Sequence, residues 1–348
     1  MELLRKLCTI NGCSGDETDI RNFILKEISS YCNQCYEDKL GNLIAFKKGK
    51  KVPDKKIMYS AHMDETGYMV KSIDDDGCIR IDSIGVSPNV TTGKTVIIKS
   101  TKKPTKPQNV YGIIGLLPIH LTKAEDRNKV PDFEKIRIDI GSNSKEETAN
   151  IVELGDYVYF VSEFDTFGKY IKAKAFDNRI GCYTLIELIK KDLEYDSWFS
   201  FCVQEEIGCR GAKVVAAAIQ PDIVFVLEGT TAADISGVDD DSKVCFIGKG
   251  PAISFADKTT FYNPDMVIKL TELANNNNIS WQYKSFVAGG NDASSMQRSA
   301  AGAKVLAISA PVRYLHSRIS VASFKDIEQM LALCQTIDKN VDIFCRDK

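Results

Sequence analysis

Residues 197–229, SWFSFCVQEEIGCRGAKVVAAAIQPDIVFVLEG, contain the pattern that decides the fold. The apolar run SWFSFCVQ predicts a buried strand, GAKVVAAAIQ predicts a helix, and DIVFVLEG predicts another buried strand. Strands that alternate with helices in this way are typical of an α/β layer. Both strands also end in acidic residues, and open α/β sheets place their functional sites at strand ends.

The same alternation extends in both directions. Upstream, SGDETDIRNFILKEISSY predicts a helix with Ser14 or Asp16 as its N-cap, and GNLIAFKKG and KIMYSAH predict strands. Downstream, KVLAISAPV predicts a strand between two helices, NPDMVIKLTELANNNN and FKDIEQMLALCQTIDKNV. We therefore expect an α/β domain formed by residues 1–67 and 163–348.

The intervening residues, 68–162, have a different pattern. MVKSI and CIRIDSI flank the turn DDDG, which predicts a β-hairpin. KTVIIKS, NVYGIIG, KIRIDIG and YVYFVSE follow as short β-rich runs, and the polar stretch LTKAEDRNKVPDF predicts a surface loop. We expect this region to form a small all-β domain inserted into the α/β domain.

Composition limits the classes of partner. The 348-residue chain has a net charge of −2, which disfavours nucleic acid and anionic membrane as partners. No apolar run reaches the ~18 residues that a membrane helix needs, and the N-terminus lacks the apolar core of a signal peptide. The eleven cysteines lack the two CxxC pairs of zinc knuckles, and because no secretion signal is expected, reduced thiols in a cytoplasmic protein are predicted.

Two histidines are candidate ligands. His62 and Asp64 lie two residues apart at the end of a predicted strand, so both side chains point to one face. A carboxylate beside a histidine fixes its tautomer and raises its basicity. His316 follows the strand that ends near Pro311. The structural alternatives are a satisfied polar residue at a strand end for His62 and an ordinary loop histidine for His316.

Four acidic residues complete the candidate set. Asp177 precedes a helix, Glu205 and Glu206 end one apolar strand, and Glu228 ends another. The alternatives are a helix cap for Asp177 and solvated strand ends for the three glutamates. Together with the two histidines, these acids form the inventory of a two-metal hydrolytic site, in which oxygen and imidazole ligands hold two ions that activate a shared water.

These residues resemble the dinuclear metallo-aminopeptidases that include glutamyl and deblocking aminopeptidases, which form tetrahedral shells and are often mislabelled as endoglucanases. The resemblance covers nearly the whole chain. It is carried by GCSGDE, LGNLIAF, AHMDETGYMV, DSIGVSP, GIIGLLPIHL, IDIGSNSKEE, GDYV, KAFDNRIGC, VQEEIGCRGA, LEGTTAAD, GKGPAI, AGGNDASSMQ and PVRYLHS.

The resemblance implies two divalent metal ions per subunit, with zinc or cobalt favoured and manganese as an alternative. His62, Asp177 and Glu228 would hold one ion. Asp177, Glu206 and His316 would hold the other, so Asp177 would bridge the pair.

The resemblance also implies the catalytic roles. Glu205 would be the general base and acid, Asp64 would orient His62, and the peptide bond Asp177–Asn178 would be cis. His120 would belong to a motif of the β domain and not to the ligands.

The implied fold is an α/β/α sandwich of the zinc-peptidase type with an inserted, barrel-like dimerisation domain. Its dimers would assemble into a dodecamer. The implied activity is removal of N-terminal residues from short peptides through a water activated by two metals.

Three other functions are compatible with parts of this residue set. This chain has Glu228 where many relatives have Asp, which keeps a carboxypeptidase or an N-acyl amino acid deacylase on the same dinuclear site as the alternative. A glycosidase is disfavoured, because it needs two carboxyl groups ~5–9.5 Å apart across a sugar, whereas Glu205 and Glu206 are adjacent. A catalytically silent assembly protein is disfavoured because the full residue set is present.

Overall fold

A computed structural model describes residues 1–101, 108–285 and 289–346. Its helices are α1 (Glu2–Thr9), α2 (Thr18–Ile28), α3 (Lys145–Ala149), α4 (Phe176–Ile189), α5 (Arg210–Ile219), α6 (Pro264–Asn276), α7 (Ala293–Gln297), α8 (Phe324–Lys339) and α9 (Val341–Cys345). Ala288, the first residue of the AGGNDASSMQ motif, lies outside the described residues. Within the described ranges, no helix is both long enough and apolar enough to cross a membrane.

The strands follow the alternation expected from the sequence. They are β1 (Gln34–Glu37), β2 (Leu43–Lys47), β3 (Ile57–His62), β4 (Gly67–Ile73), β5 (Ile79–Ile84), β6 (Thr95–Ser100), β7 (Gln108–Gly115), β8 (Arg137–Asp139), β9 (Tyr157–Phe160), β10 (Asp165–Phe167), β11 (Tyr170–Ala173), β12 (Ser197–Cys202), β13 (Ile223–Thr231), β14 (Ala252–Ile253), β15 (Gln282–Tyr283), β16 (Lys304–Arg313) and β17 (Ser320–Ala322).

The chain forms two compact units. The first contains residues 1–65, 164–315 and 320–348, and the second contains residues 66–163 and 316–319. The segment His316–Ile319 belongs to the second unit, whereas the sequence placed it in the α/β domain.

The first unit is built on a mixed sheet in the order β1, β2, β12, β3, β13, β16, β17, β11, β10. Its central strands β12, β3, β13 and β16 run parallel, with Cys202 beside His62 and Glu228 beside Ser309. Parallel strands end at the same edge of a sheet, so the segments after β3 and β12 and the end of β13 meet there. The buried core strands are rich in β-branched and aromatic residues, as expected for strands covered on both faces.

Helix α4 packs closely on the two strands that carry His62 and Glu228. A Cβ added at Gly181 would lie 2.7 Å from the carbonyl oxygen of Leu227 in β13 and 2.8 Å from Cβ of Ala61 in β3. The absence of a side chain at Gly181 therefore allows this approach, which brings the start of α4 to the strand ends.

The beginning of α2 differs from the sequence prediction. Glu17 occupies the N-cap position and makes no side-chain capping hydrogen bond, so the expectation of Ser14 or Asp16 as the cap is wrong. Ser14 instead donates its hydroxyl to Asp64 Oδ2 at 2.6 Å. The Ser14 hydroxyl therefore bonds to a distant residue instead of capping α2.

The second unit is a closed antiparallel barrel with the order β4, β5, β8, β7, β6, β9. The predicted hairpin is present, with Ile73 opposite Ile79 and Gly77 in the turn at a φ of 87°. Buried apolar residues fill the barrel, among them Tyr68, Val96 and Ile98. The α/β class and the all-β, barrel-like insertion predicted from the sequence are confirmed.

Candidate metal centre

The end of the central sheet brings together side chains from four separate segments. His62 is the last residue of β3, and Asp64 follows it. Glu205 and Glu206 lie in the turn after β12, and Glu228 lies in β13.

Asp177 reaches the same place from the start of α4. Asp177 and Asn178 have non-helical backbone angles, and the peptide bond between them is cis, as the resemblance implies. Asn178 donates its side-chain amide to the carbonyl of Leu227 at 2.7 Å and accepts the N–H of Gly181 at 3.0 Å. The start of the helix is thereby attached to β13.

His62 lies at the centre of this group. Its Nε2 is 3.2 Å from Asp177 Oδ1, 3.6 Å from Glu228 Oε2 and 3.9 Å from Glu205 Oε2. Its Nδ1 is 3.3 Å from Asp64 Oδ1. One imidazole nitrogen therefore faces the cluster of acids while the other faces Asp64.

The donor atoms of His62, Asp177 and Glu206 have the separations of a metal-binding set. One ligand atom from each residue lies within 4.8 Å of the others. A nitrogen and two carboxylates suit zinc, cobalt and manganese.

Asp64 holds the neighbouring backbone. Its oxygens accept the backbone N–H of Glu205 at 3.0 Å and of Glu206 at 3.1 Å, in addition to the hydroxyl of Ser14. Burial alone would raise the pKa of Asp64, but the adjacent His62 and the hydrogen bonds from Ser14 and Glu205 lower it below the ordinary value. Asp64 is therefore an ionised acceptor that positions the turn carrying both glutamates.

Glu205 and Glu228 are buried carboxyl groups without enough neighbouring positive charge and hydrogen-bond donors to stabilise their ionised forms. Burial raises the pKa of Glu205 to about 7, with Asp177 adding to the shift and His62 opposing it. Burial also raises the pKa of Glu228 well above its ordinary value, and Glu228 Oε1 has no hydrogen-bond partner among the described residues. Buried carboxylates of this kind require a proton or a cation. The donor set therefore fits divalent cations.

The same acids shift the pKa of His62. Burial would lower its pKa, but Glu228, Asp177 and Asp64 together raise it well above the usual value. An imidazole surrounded by acids tends to hold a proton, and a bound cation would take its place.

A buried ion cluster is formed by residues close to Asp64 and Asp177 in the sequence. Lys174 donates to Glu65 Oε1 at 2.7 Å and to Asn11 Oδ1 at 2.6 Å, and Glu65 also accepts the N–H of Gly12. The guanidinium of Arg179, which is fully buried, lies 3.8 Å from Glu65 and donates to the carbonyls of Leu7 and Ile10. Glu65 adjoins Asp64, and Arg179 follows Asp177 by two residues. No local sequence pattern predicts this cluster, because Glu65 is far in the sequence from Lys174 and Arg179.

His316 is placed differently from the other predicted site residues. The segment His316–Ile319 belongs to the second unit, and His316 has a left-handed φ of 56°. The structure thus brings together six of the seven predicted residues within the first unit: His62, Asp64, Asp177, Glu205, Glu206 and Glu228.

Residues 41–333 match the M42 glutamyl aminopeptidase family. The chain belongs to this family. It is 32% identical over 344 residues to the lysyl aminopeptidase of Pyrococcus furiosus, in an alignment that covers 97% of this chain and 96% of that protein.

Solved structures of aminopeptidases share the fold. The TET aminopeptidase of a marine-sediment Thaumarchaeota archaeon superimposes with a TM-score of 0.92 at 30% identity, over 98% of this chain and 96% of that one. The TET1 peptidase of Pyrococcus horikoshii, which can assemble into a tetrahedron or a large octahedral shell, superimposes with a TM-score of 0.83 at 32% identity, over 97% and 98% of the two chains. This M42 chain is an aminopeptidase, and therefore a peptide hydrolase.

Proposed function

We propose that this M42 aminopeptidase removes N-terminal residues from short peptides with two divalent metal ions per subunit. The observation that carries the proposal is the convergence of His62, Asp177 and Glu206 donor atoms within 4.8 Å of one another, with Glu205 and Glu228 against the same imidazole. We assign one ion to His62, Asp177 and Glu228 and the other to Asp177, Glu206 and His316.

The bound ions would polarise the scissile carbonyl and lower the pKa of the attacking water. Zinc or cobalt is the preferred assignment and manganese the alternative, because all three accept imidazole and carboxylate ligands.

The protein's own groups orient the reaction and move its proton. Asp64 faces His62 Nδ1 and leaves Nε2 to face the acids. Glu205, which lies 3.9 Å from His62 Nε2, takes a proton from the attacking water and returns it to the leaving amine. Glu228 Oε2 lies 3.6 Å from His62 Nε2, and its buried Oε1 has no hydrogen-bond partner among the described residues, so Glu228 fits the role of a ligand.

The second unit is proposed as a dimerisation module, and the subunits as building a dodecameric shell. The support is the assembly of the Pyrococcus horikoshii relative and an exposed apolar surface on the barrel. We propose a cytoplasmic location, in line with the reduced thiols of the chain.

The test is hydrolysis of aminoacyl chromogenic substrates, free peptides and N-acylated peptides by metal-stripped protein, before and after zinc, cobalt or manganese is added. We expect metal-dependent release of N-terminal residues from free-amine substrates. Hydrolysis of the N-acylated peptides alone would favour the deacylase alternative. Release of C-terminal residues alone would favour the carboxypeptidase alternative.

Glu205→Gln provides the mechanistic arm of this test. We expect kcat to fall about 10²- to 10⁴-fold with unchanged metal content, because the amide cannot carry the proton. The matched control is Glu328→Gln on the exposed face of α8, which should retain wild-type kcat. Full activity in Glu205→Gln would contradict the assigned base.

A further inference from the structure

A second group of donor atoms shares Glu205 with the candidate metal centre. Glu205, Cys209 and Asp292 each offer one ligand atom within 4.8 Å of the others, and the Cys209 thiol is 3.5 Å from Glu205 Oε1. Thus Glu205 Oε2 lies near His62, whereas Glu205 Oε1 lies near the Cys209 thiol.

The environment of Asp292 is a second, independent indication that a cation binds here. Its side chain is fully buried, and neither carboxylate oxygen has a hydrogen-bond partner of ordinary geometry among the described residues. The nearby Cys202 thiol is a weak donor, and burial followed by Glu205 raises the pKa of Asp292 well above its ordinary value. A buried carboxyl without donors needs a proton or a cation.

Neighbouring hydrogen bonds hold the three residues in place. The carbonyl of Glu205 accepts the N–H of Cys209, and the N–H of Glu205 donates to Asp64. Asn291, which precedes Asp292, donates its amide to Tyr262 and accepts the N–H of Ala293. Little rearrangement would therefore be needed for the three donors to close on one ion.

We propose that Glu205, Cys209 and Asp292 form a third, inhibitory site for a thiophilic divalent cation such as zinc. One thiolate and two carboxylates suit zinc better than magnesium or calcium, which take oxygen ligands only. Three protein ligands leave at least one open position, as in catalytic rather than structural zinc sites.

Occupation of this site takes the Glu205 carboxylate out of proton transfer. The enzyme would then be active with its resident ions and inhibited when zinc is in excess. The inhibitory consequence rests on the proposed role of Glu205, whereas the binding of the cation does not.

The test is a Co²⁺ titration of protein already loaded with its resident ions, followed by the near-ultraviolet charge-transfer absorption of a cobalt–thiolate bond. We expect the band to appear with cobalt beyond the resident pair, to be absent in Cys209→Ser, and to need at least about tenfold more cobalt in Asp292→Asn. Cys35→Ser, which changes a partly exposed thiol on β1, is the matched control and should keep the band.

Activity supplies the second readout. The ratio of activity in excess zinc to activity with the resident ions should be low for wild type and Cys35→Ser and near one for Cys209→Ser. A band that persists in Cys209→Ser, or no cobalt bound beyond the resident pair, would overturn the proposed site. If the protein hydrolyses no peptide but the band still follows Cys209, the proposed function fails and this site stands.

Discussion

Asp64 uses both of its carboxylate oxygens. Oδ1 accepts the N–H of Glu205 and faces His62 Nδ1, while Oδ2 accepts the Ser14 hydroxyl and the N–H of Glu206. An ionised carboxylate offers acceptors only, which suits this surrounding set of donors. This one residue therefore fixes the histidine and the turn that carries both glutamates.

We expect Asp64→Asn to weaken metal binding about 10- to 100-fold, because the amide nitrogen would face N–H or O–H donors and leave them unsatisfied. Competition with a chromogenic chelator measures this affinity. The control is Asp196→Asn, whose carboxylate accepts a hydrogen bond from the N–H of Gly49 away from the acids. Equal affinities in the two variants would contradict the role of Asp64.

Glu17 is a buried carboxyl beside the same site. Burial first, and Asp64 second, raise its pKa from 4.5 to about 7. The folded protein therefore binds this proton more tightly than the unfolded chain, so the resulting stabilisation is complete below about pH 4.5 and is lost as the pH rises to about 7.

We expect Glu17→Gln to be more stable than wild type above about pH 7, by up to about 3 kcal/mol, and the two proteins to converge below about pH 4.5. Glutamine keeps the oxygen that accepts the N–H of Gly15 and Gln204 but does not ionise. Urea unfolding of metal-free protein at several pH values measures the difference. A difference that does not change with pH would contradict the assignment.

At the scale of elements, the contact of α4 with the sheet determines where Asp177 lies. Asn178 bonds both to β13 and within the helix, and Gly181 lets the helix approach Leu227 and Ala61. The helix start and the strand end therefore behave as one packed unit.

We expect Gly181→Ala to cost about 1–3 kcal/mol in the free energy of unfolding, because the added methyl meets backbone that cannot move aside. It should also weaken metal binding by displacing Asp177. The control is Gly115→Ala, where an added Cβ meets nothing within 4 Å. Chemical unfolding measures the first effect and chelator competition the second. If stability and metal affinity were both unchanged in Gly181→Ala, the packing around Gly181 would be looser than described.

The strands and their terminal acids were predictable because apolar runs and the charges that end them are local properties. This local pattern led to His62, Glu205 and Glu228 directly. The cis bond at Asp177–Asn178 has no such signal in periodicity and followed from the family resemblance alone.

Other features depend on contacts between distant segments. Ser14 has the residue type of a helix cap, but its partner is Asp64, 50 residues away. The pairing of Glu65 with Lys174 and the approach of Asp292 to Glu205 also depend on how the segments cross, which residue spacing does not encode.

At the scale of the whole molecule, the barrel has an apolar surface. Leu117, Ile119, Leu121 and Val130 are each more than half exposed and line a cavity of about 690 Å³. Clustered exposed apolar residues mark association surfaces, which agrees with the proposed dimerisation module.

We expect Ile119→Glu to reduce the assembly to smaller species, because a charge would be buried in the proposed contact. Sedimentation velocity measures the mass distribution. The control is Val52→Glu, which changes an exposed valine of the first unit. If the mass of Ile119→Glu were unchanged, the subunit contact would have to lie on another surface.

The parallel pairing of β3 with β12 and β13 also has a consequence for synthesis on the ribosome. His62 emerges early, but the strands that flank it, and the acids Asp177, Glu205 and Glu228 that face its Nε2, emerge only after the whole barrel has been made. A nascent or prematurely terminated chain that stops before Glu228 has no complete set of donors. If the proposed ligands hold the metal ions, we expect the newly made peptidase to remain inactive until its own translation is far advanced.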